Sequence, residues 1–249
     1  MSPSLSARLA ATTRFQRLHH VATCSSTQDL AAADTDLAWS MFWAEHQDSG
    51  RGRQQRPWHD EQGLDLAVTF SLRVDLPDVV ALPVVLPLCV VDAVAPELGD
   101  RASELRFKWP NDVLHGGKKL AGVLVDADAQ KPMRFRIGIG INVNSEAPPA
   151  HLADIATSLR AVTGRAHDRE AVLLALAQRL DAAVAALQRG ETAAYEERFA
   201  QCLSLLGCRV RVRCGSVVSG VLEAIDLRGL RLDGGRTFAL AQVQELRGE

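Results

Sequence analysis

Phe107-Lys108-Trp109-Pro110-Asn111-Asp112-Val113-Leu114-His115-Gly116-Gly117-Lys118-Lys119-Leu120-Ala121-Gly122-Val123-Leu124-Val125 sets the architecture of the chain. It begins as a strand and must leave regular geometry at Pro110, because proline has no N–H and restricts the residue before it. His115-Gly116-Gly117 supplies a turn, and residues 118–125 resume as a strand with Leu120, Val123 and Val125 apolar. Residues 134–143 offer another strand, so the middle of the chain reads as an antiparallel meander. Gly138, Gly140 and Asn142 alternate along that last strand, clearing one face for a ligand or for a close-packed neighbour.

Upstream, residues 39–45 read as a strand that delivers Glu45, His46 and Gln47 to the run Gly50-Arg51-Gly52-Arg53-Gln54-Gln55-Arg56-Pro57-Trp58. Residues 64–74 form the next strand. The run between them is poor helix or strand material, since glycine costs backbone entropy and the polar residues have nothing to bury. It is also longer than a hairpin needs. Arginine donors on such a loop suit a phosphorylated small molecule or polyanion that orders the loop on binding; the alternative is a solvated, charged surface loop. Residues 15–21 form an earlier strand, and Ser25-Ser26-Thr27-Gln28 precedes an alanine-rich helix at 29–33, with Ser26 or Thr27 as its cap.

The remaining elements follow from periodicity. Residues 1–11 read as a loose tail with a little helical tendency, and 78–94 as the main long helix, kinked or preceded by an irregular turn because of Pro83 and Pro87. Residues 151–159 read as a short helix started by Asp154. Residues 170–187 carry an apolar stripe of Leu173, Leu176, Leu180, Val184 and Leu187, and a helix over 192–206 ends at Gly207. Beyond it, short strands at 208–213, 217–225, 229–232 and 237–242 alternate with glycine or Asp-Gly turns. The expected organisation is an α+β body over 1–207, with a mixed central sheet and flanking helices, followed at 208–249 by a small β-barrel or curled sheet.

A hydrophobic fraction of 47% over 249 residues excludes general disorder, and a formal charge of −2 gives the whole surface no net pull toward nucleic acid. Five cysteines, Cys24, Cys89, Cys202, Cys208 and Cys214, form no C-x-x-C pair and no metal-ligand spacing, and read as ordinary cytosolic thiols. Without an apolar leader, and with residues 79–91 interrupted by prolines and too short to span a bilayer, a soluble cytoplasmic protein without membrane association is expected. No Walker-type or dinucleotide fingerprint occurs. Lys108, Asn111 and Asp112 around a rigid proline, and whichever of Lys118 and Lys119 alternation turns inward while the other meets solvent, instead gather phosphate donors and a possible metal-facing carboxylate near the arginine loop. Taken singly, Trp109 could be core, Asn111-Asp112 a turn, and Lys108 a snorkelling side chain.

Several stretches in order, namely Ser25-Ser26-Thr27-Gln28, Glu45-His46-Gln47, Gly50-Arg51-Gly52-Arg53, Lys108-Trp109-Pro110-Asn111-Asp112, Lys119-Leu120-Ala121-Gly122 and residues 138–144, resemble the biotin protein ligases in their short bacterial form. The pairing of KWPND with KLAG is the specific part of the resemblance, which covers residues 25–144. It implies a class II aminoacyl-tRNA synthetase-like catalytic domain with an SH3-like C-terminal β-barrel. The implied activity is formation of biotinyl-5′-AMP from biotin and ATP, then transfer of biotin to a lysine of the biotin carboxyl carrier protein of acetyl-CoA carboxylase. Ser25, Ser26, Thr27, Gln47, Arg51, Gly52, Arg53, Lys119 and Gly122 would hold biotin. Arg56, Trp58, Lys108, Asn111 and Asn142 would hold the nucleotide. Lys119 and Arg53 would serve catalysis, and Asp112 would carry Mg2+.

About two dozen residues precede the Ser25 motif, too few for the winged-helix domain of the repressor-type members, so DNA binding is not expected. The oligomer is open between a monomer and a weak homodimer. His59-Asp60-Glu61-Gln62 is more acidic than the resemblance implies, and Asp65 stands where an apolar or amide side chain is usual. A lipoate or other small-acid adenylating ligase, and a biotin-binding module without catalysis, are the competing readings.

Overall fold

Period-two alternation is clearest in β3 (Leu66–Arg73), where Leu66, Val68, Phe70 and Leu72 enter the hydrophobic core and Thr69 points to the opposite face. The structure, a computed structural model, describes residues 3–35, 39–127, 133–146 and 150–249. Around β3 lie β1 (Arg17–Cys24), β2 (Ser40–Gln47), β4 (Leu105–Lys108), β5 (Asp112–His115), β6 (Lys118–Ala127) and β7 (Arg134–Ile141). They form a seven-stranded sheet in the order β1-β2-β3-β7-β6-β5-β4. β1 and β2 run parallel and every other pair is antiparallel, so the central sheet is mixed and its middle is the expected meander.

Helices cover the apolar face. α3 (Leu82–Leu98) follows a 3-10 turn at Val79–Ala81 that is capped by Asp78, which is the irregular entry its prolines require. The helical run Val79–Glu104 has 26 residues and is long and apolar enough to cross a membrane. That exceeds the span expected from the proline-interrupted segment. Its apolarity has a packing cause: α3 lies against α5 (Arg169–Gln188) and α6 (Ala193–Leu203) and is buried along most of its length. All of Leu173, Leu176, Leu180, Val184 and Leu187 on α5 are buried, as the stripe predicts.

Three local expectations are corrected. Residues 5–12 are not a tail but α1 (Leu5–Thr12), capped by Ser4, with Leu5 and Leu9 buried and Arg8 paired to Glu170 on α5. Asp154 starts no α-helix; Ser158 accepts from Ala161 N and caps α4 (Leu159–Thr163). α6 stops at Leu203 because Ser204 takes a left-handed conformation, so Gly207 belongs to the next turn.

The C-terminal sheet contains β8 (Arg209–Cys214), β9 (Ser216–Ile225), β10 (Gly229–Leu232), β11 (Arg236–Ala239) and β12 (Glu245–Gly248). Its order is β11-β10-β9-β8-β12, and it is open: β11 and β12 are edges that do not pair, so the expected β-barrel is not formed. Closure would require those edges to meet. The segment joining them is instead committed to the body, since Leu240 and Val243 are buried and Val243 O accepts a 2.7 Å hydrogen bond from Trp109 Nε1.

Trp109 is itself buried, with Phe107 and Phe199 at centroid distances of 6.2 and 6.3 Å. Trp109→Phe keeps an aromatic ring but leaves the Val243 carbonyl without its donor, a loss of about 1–3 kcal/mol. The expected outcome is a lower urea midpoint and faster amide exchange concentrated in residues 208–249, measured by hydrogen-exchange mass spectrometry. Exchange that rises equally throughout the chain would contradict the local role.

Candidate active site

The polar face of the sheet opens into a cavity of about 470 Å³, within the usual range for small-molecule sites. Its floor is glycine. Gly122 on β6 pairs with Gly140 on β7, and Gly138 lies two residues along the same strand. A Cβ at Gly140 would stand 2.3 Å from Trp58 Cζ2, and one at Gly138 would stand 2.8 Å from Gln28 Nε2. The face cleared by alternation thus admits side chains from the arginine loop and from α2 (Thr27–Ala33).

One wall is the α2 N-terminus. Ser26 caps the helix by accepting from Gln28 N, as its position predicts. Gln47, at the end of β2, accepts from Thr27 N at 2.9 Å and from Thr27 Oγ1 at 3.1 Å, while Thr69 Oγ1 donates to Thr27 Oγ1. Gln28 is buried and its Oε1 has no hydrogen-bond partner. A buried acceptor left open beside a cavity is suited to a ligand N–H.

The loop that follows is a small closed turn. Arg51 bridges Pro57, Trp58 N donates to Gly50 O at 2.8 Å, and Gly52 N donates to Arg56 O at 2.8 Å. A Cβ at Gly50 would lie 2.8 Å from Trp58 O, so glycine is what lets the two arms approach. Gln54 and Gln55 form the exposed tip with positive φ of 56° and 58°. Arg53 and Arg56 line the cavity mouth. Arg51 is held by Asp29, whose carboxylate accepts from Nη1 at 2.9 Å and Nη2 at 2.6 Å. Those hydrogen bonds keep the Asp29 carboxyl below its ordinary pKa and raise that of Arg51.

Opposite, the cis Trp109-Pro110 peptide breaks β4 from β5 and leaves Lys108, Asn111 and Asp112 along the cavity. Asn111 Nδ2 donates to Val123 O at 2.8 Å. Lys119 Nζ lies 2.7 Å from Asp112 Oδ1 and 5.4 Å from the Trp58 ring centroid. Of the two lysines opening β6, Lys118 turns away to Ala153 O and Lys119 faces the cavity.

Ser26, Thr27, Gln47, Arg51, Gly52, Arg53, Arg56, Trp58, Lys108, Asn111, Asp112, Lys119 and Gly122 therefore converge on one cavity. Ser25 and Asn142 do not line it. Ser25 is exposed and its Oγ donates to Asp29, while Asn142 Nδ2 donates to Thr157 O at 2.9 Å and braces the backbone beside Lys119. Gln28 and a C-terminal group, Arg213, Gln244, Glu245 and Arg247, line the cavity without having been singled out. Gln28 sits inside a quoted motif and could have been found there; the C-terminal group carries no local signal.

Asp65, the unusual residue, is an anchor. Although 4% exposed, its carboxylate accepts from Val143 N, Ser145 N and Oγ, and Glu61 N, so it ties the end of the loop region to the segment leaving β7. Burial raises the pKa of nearby Asp60 despite its hydrogen bonds from Gln47 N and His46. Burial and neighbouring carboxylates push the Cys24 thiol up to about 11, and burial raises Cys89 and Cys202 as well. These thiols are protonated at neutral pH and supply no nucleophile.

A profile described as the Biotin/lipoate A/B protein ligase family matches residues 26–144. Biotin–[acetyl-CoA-carboxylase] ligase of Mycobacterium tuberculosis is 35% identical over 230 residues, covering 88% of this chain and 84% of that protein. The bifunctional ligase/repressor BirA of Bacillus spizizenii is 37% identical over 169 residues, covering 64% of this chain and 50% of that protein. The match thus spans about half the length of that relative. Among solved structures, biotin protein ligase from Aquifex aeolicus in complex with biotin and ATP aligns with a TM-score of 0.82 at 26% identity, covering 94% of this chain and all of that one. With the glycine floor, the arginine loop and Lys119 gathered in one cavity, the chain belongs to the biotin/lipoate A/B protein ligase family, in its biotin protein ligase branch.

Proposed function

We propose that the chain forms biotinyl-5′-AMP from biotin and ATP and passes the biotinyl group to one lysine of a biotin carboxyl carrier protein. The observation that carries this reading is the placement of Lys119 and the arginine loop at one cavity mouth, over a glycine floor beside the Thr27–Gln47 pair. Biotin's carboxylate is ionised at pH 7 and needs no protein base to attack phosphorus. Its oxygen bonds to the α-phosphorus as the bond to pyrophosphate breaks. The carrier lysine, as the free amine, then attacks the acyl carbon, AMP leaves, and the amine's proton passes to solvent.

The protein's task is to bring two anions together and keep water away. Ser26, Thr27, Gln47 and Gly122 bind biotin's polar ring and the chain beside it, with Ser25 supporting them through Asp29. Arg51, Gly52 and Arg53 form the lid over the carboxylate and phosphate. Lys119 meets the reacting oxygens, where a fixed cation stabilises charge that develops in the transition state. Arg56, Trp58, Lys108 and Asn111 serve the nucleotide side, the Trp58 indole also resting on the glycine floor beside biotin, and Asn142 steadies the strand that carries Lys119. Residues 208–249 act as a second domain that helps seat the carrier, in the cytoplasm where carrier and ATP meet.

Among the described residues no group of three or more His, Cys, Asp or Glu is arranged to hold a metal ion. Mg2+ does not need one, because it commonly takes one or two carboxylates and completes its shell with phosphate oxygens and water. Asp112, a hard oxygen donor lining the cavity, fits that requirement. Bound there with ATP, the ion would supply charge cancellation on the phosphates.

Labelled pyrophosphate should exchange into ATP only when biotin is present; exchange driven by lipoate would move the assignment to a lipoate ligase, and none with any acid would leave a binding module. Lys119→Ala should lower single-turnover adenylation about a hundredfold or more while changing the calorimetric biotin affinity far less. Equal losses in both would remove Lys119 from the reacting centre. Gly140→Ala, by displacing the Trp58 indole, should weaken biotin binding about tenfold or more and change Trp58 emission, with Trp58→Phe identifying the signal. Unchanged affinity and emission would show that the indole does not shape the biotin site.

A further inference from the structure

Asp29 lies in the first turn of α2, where a carboxylate is favoured by the helix dipole whatever else it does. Its geometry goes further, because both oxygens are engaged by the two terminal nitrogens of Arg51 across 22 residues of sequence, and Ser25 Oγ supports the same carboxylate. The pair is too exposed to matter much to the fold: the side chains retain 48% and 27% of their accessibility. It joins two parts of the site. The same helix turn gives Thr27 to Gln47 and Gln28 to the cavity, while Arg51 is the first cation of the arginine loop.

Arg53 and Arg56 make no ion pair among the described residues, so the loop's cations are unequal. Arg51 is neutralised and fixed at the root of the loop, where its backbone also bridges Pro57. Neutralising it reduces repulsion among cations a few residues apart. Fixing it shortens the segment that must be ordered when an anion arrives.

We propose that Asp29 is a positioning residue for adenylation: by pinning Arg51 it roots the arginine loop on α2, leaving Arg53 and Arg56 as the cations that close over the ligand's anion. The inference rests on residues 50–58 acting as the lid. Arg51 then contributes through its backbone and its pairing, and its guanidinium is not a free donor to phosphate.

The test uses full-length wild type, Asp29→Ala, Asp29→Glu, Arg51→Ala and the double Asp29→Ala/Arg51→Ala. Biotin-dependent pyrophosphate exchange, limited trypsin cleavage after Arg51 or Arg53 with a non-hydrolysable biotinyl-AMP analogue, and melting temperature are read for each; Arg56 is followed by Pro57 and is not a trypsin site. Asp29→Ala should keep its melting temperature, raise the KM for biotin about tenfold with kcat changed about twofold or less, and need about tenfold more analogue for protection. Asp29→Glu should recover most of the loss, and Arg51→Ala should add nothing on the Asp29→Ala background, because the two act as one unit. A wild-type KM and protection curve for Asp29→Ala, or additive losses in the double variant, would overturn the role of Asp29 while leaving the lid intact. If the analogue fails to protect even the wild-type loop, the lid reading falls and this inference falls with it.

Discussion

A single missing carbon governs the site. At Gly140 a Cβ would lie 2.3 and 2.4 Å from two atoms of the Trp58 indole, well inside van der Waals contact, so the indole can rest on the sheet only because that position is bare. Gly122 stands directly across the ladder and Gly138 two residues along, so the bare patch extends over two strands. Trp58 in turn fixes the returning arm of the arginine loop, whose N–H pairs with Gly50 O. Lys119 approaches the same ring from β6. The depth of the cavity and the placement of its cations both follow from backbone that carries no side chain.

The charges show a second constraint. Arg51 is paired with Asp29 and Lys119 with Asp112, and in each pair at least one member is a quarter or more exposed. At such sites the Coulomb energy is screened by water and partner exchange costs little. A chain with a formal charge of −2 thereby keeps cations at the mouth of one cavity without an unpaired buried charge on Lys119. Lys119 can exchange a carboxylate partner for a substrate oxygen because both offer the same kind of acceptor. Asp65 shows the opposite solution: a deeply buried carboxylate held by four neutral donors, which suits a permanent anchor.

Much of this was legible in the sequence where the signal is local. The stripe on α5, a Ser26 or Thr27 cap, the break at Pro110 and an inward turn of one of Lys118 and Lys119 follow from periodicity and backbone chemistry that act over a few residues; the structure selects Ser26 and Lys119. The edges of the C-terminal sheet were not legible, because alternation shows that strands exist but not whether the first meets the last. That outcome depends on Val243 being drawn to Trp109, a contact across 134 positions. Arg213, Gln244, Glu245 and Arg247 escaped notice for the same reason. Ser25 and Asn142 belong to conspicuous stretches, yet alternation around α2 and at the end of β7 turns one to the surface and the other to Thr157.

The KWPND stretch shows how those distant parts become one site. Lys108, Asn111 and Asp112 line the cavity, and Trp109, the first residue past β4, touches the same lining while its ring packs beside Phe107 and Phe199. Its N–H then takes the Val243 carbonyl, and Gln244 next along the chain pairs its own N–H with Arg213 O. One indole therefore sets the distance between the Lys108–Asp112 wall and the residues that the C-terminal sheet contributes to the same cavity. A shift of that sheet cannot occur without loss of a buried hydrogen bond, so the two walls of the site are positioned by the same contact that stops the sheet from closing on itself.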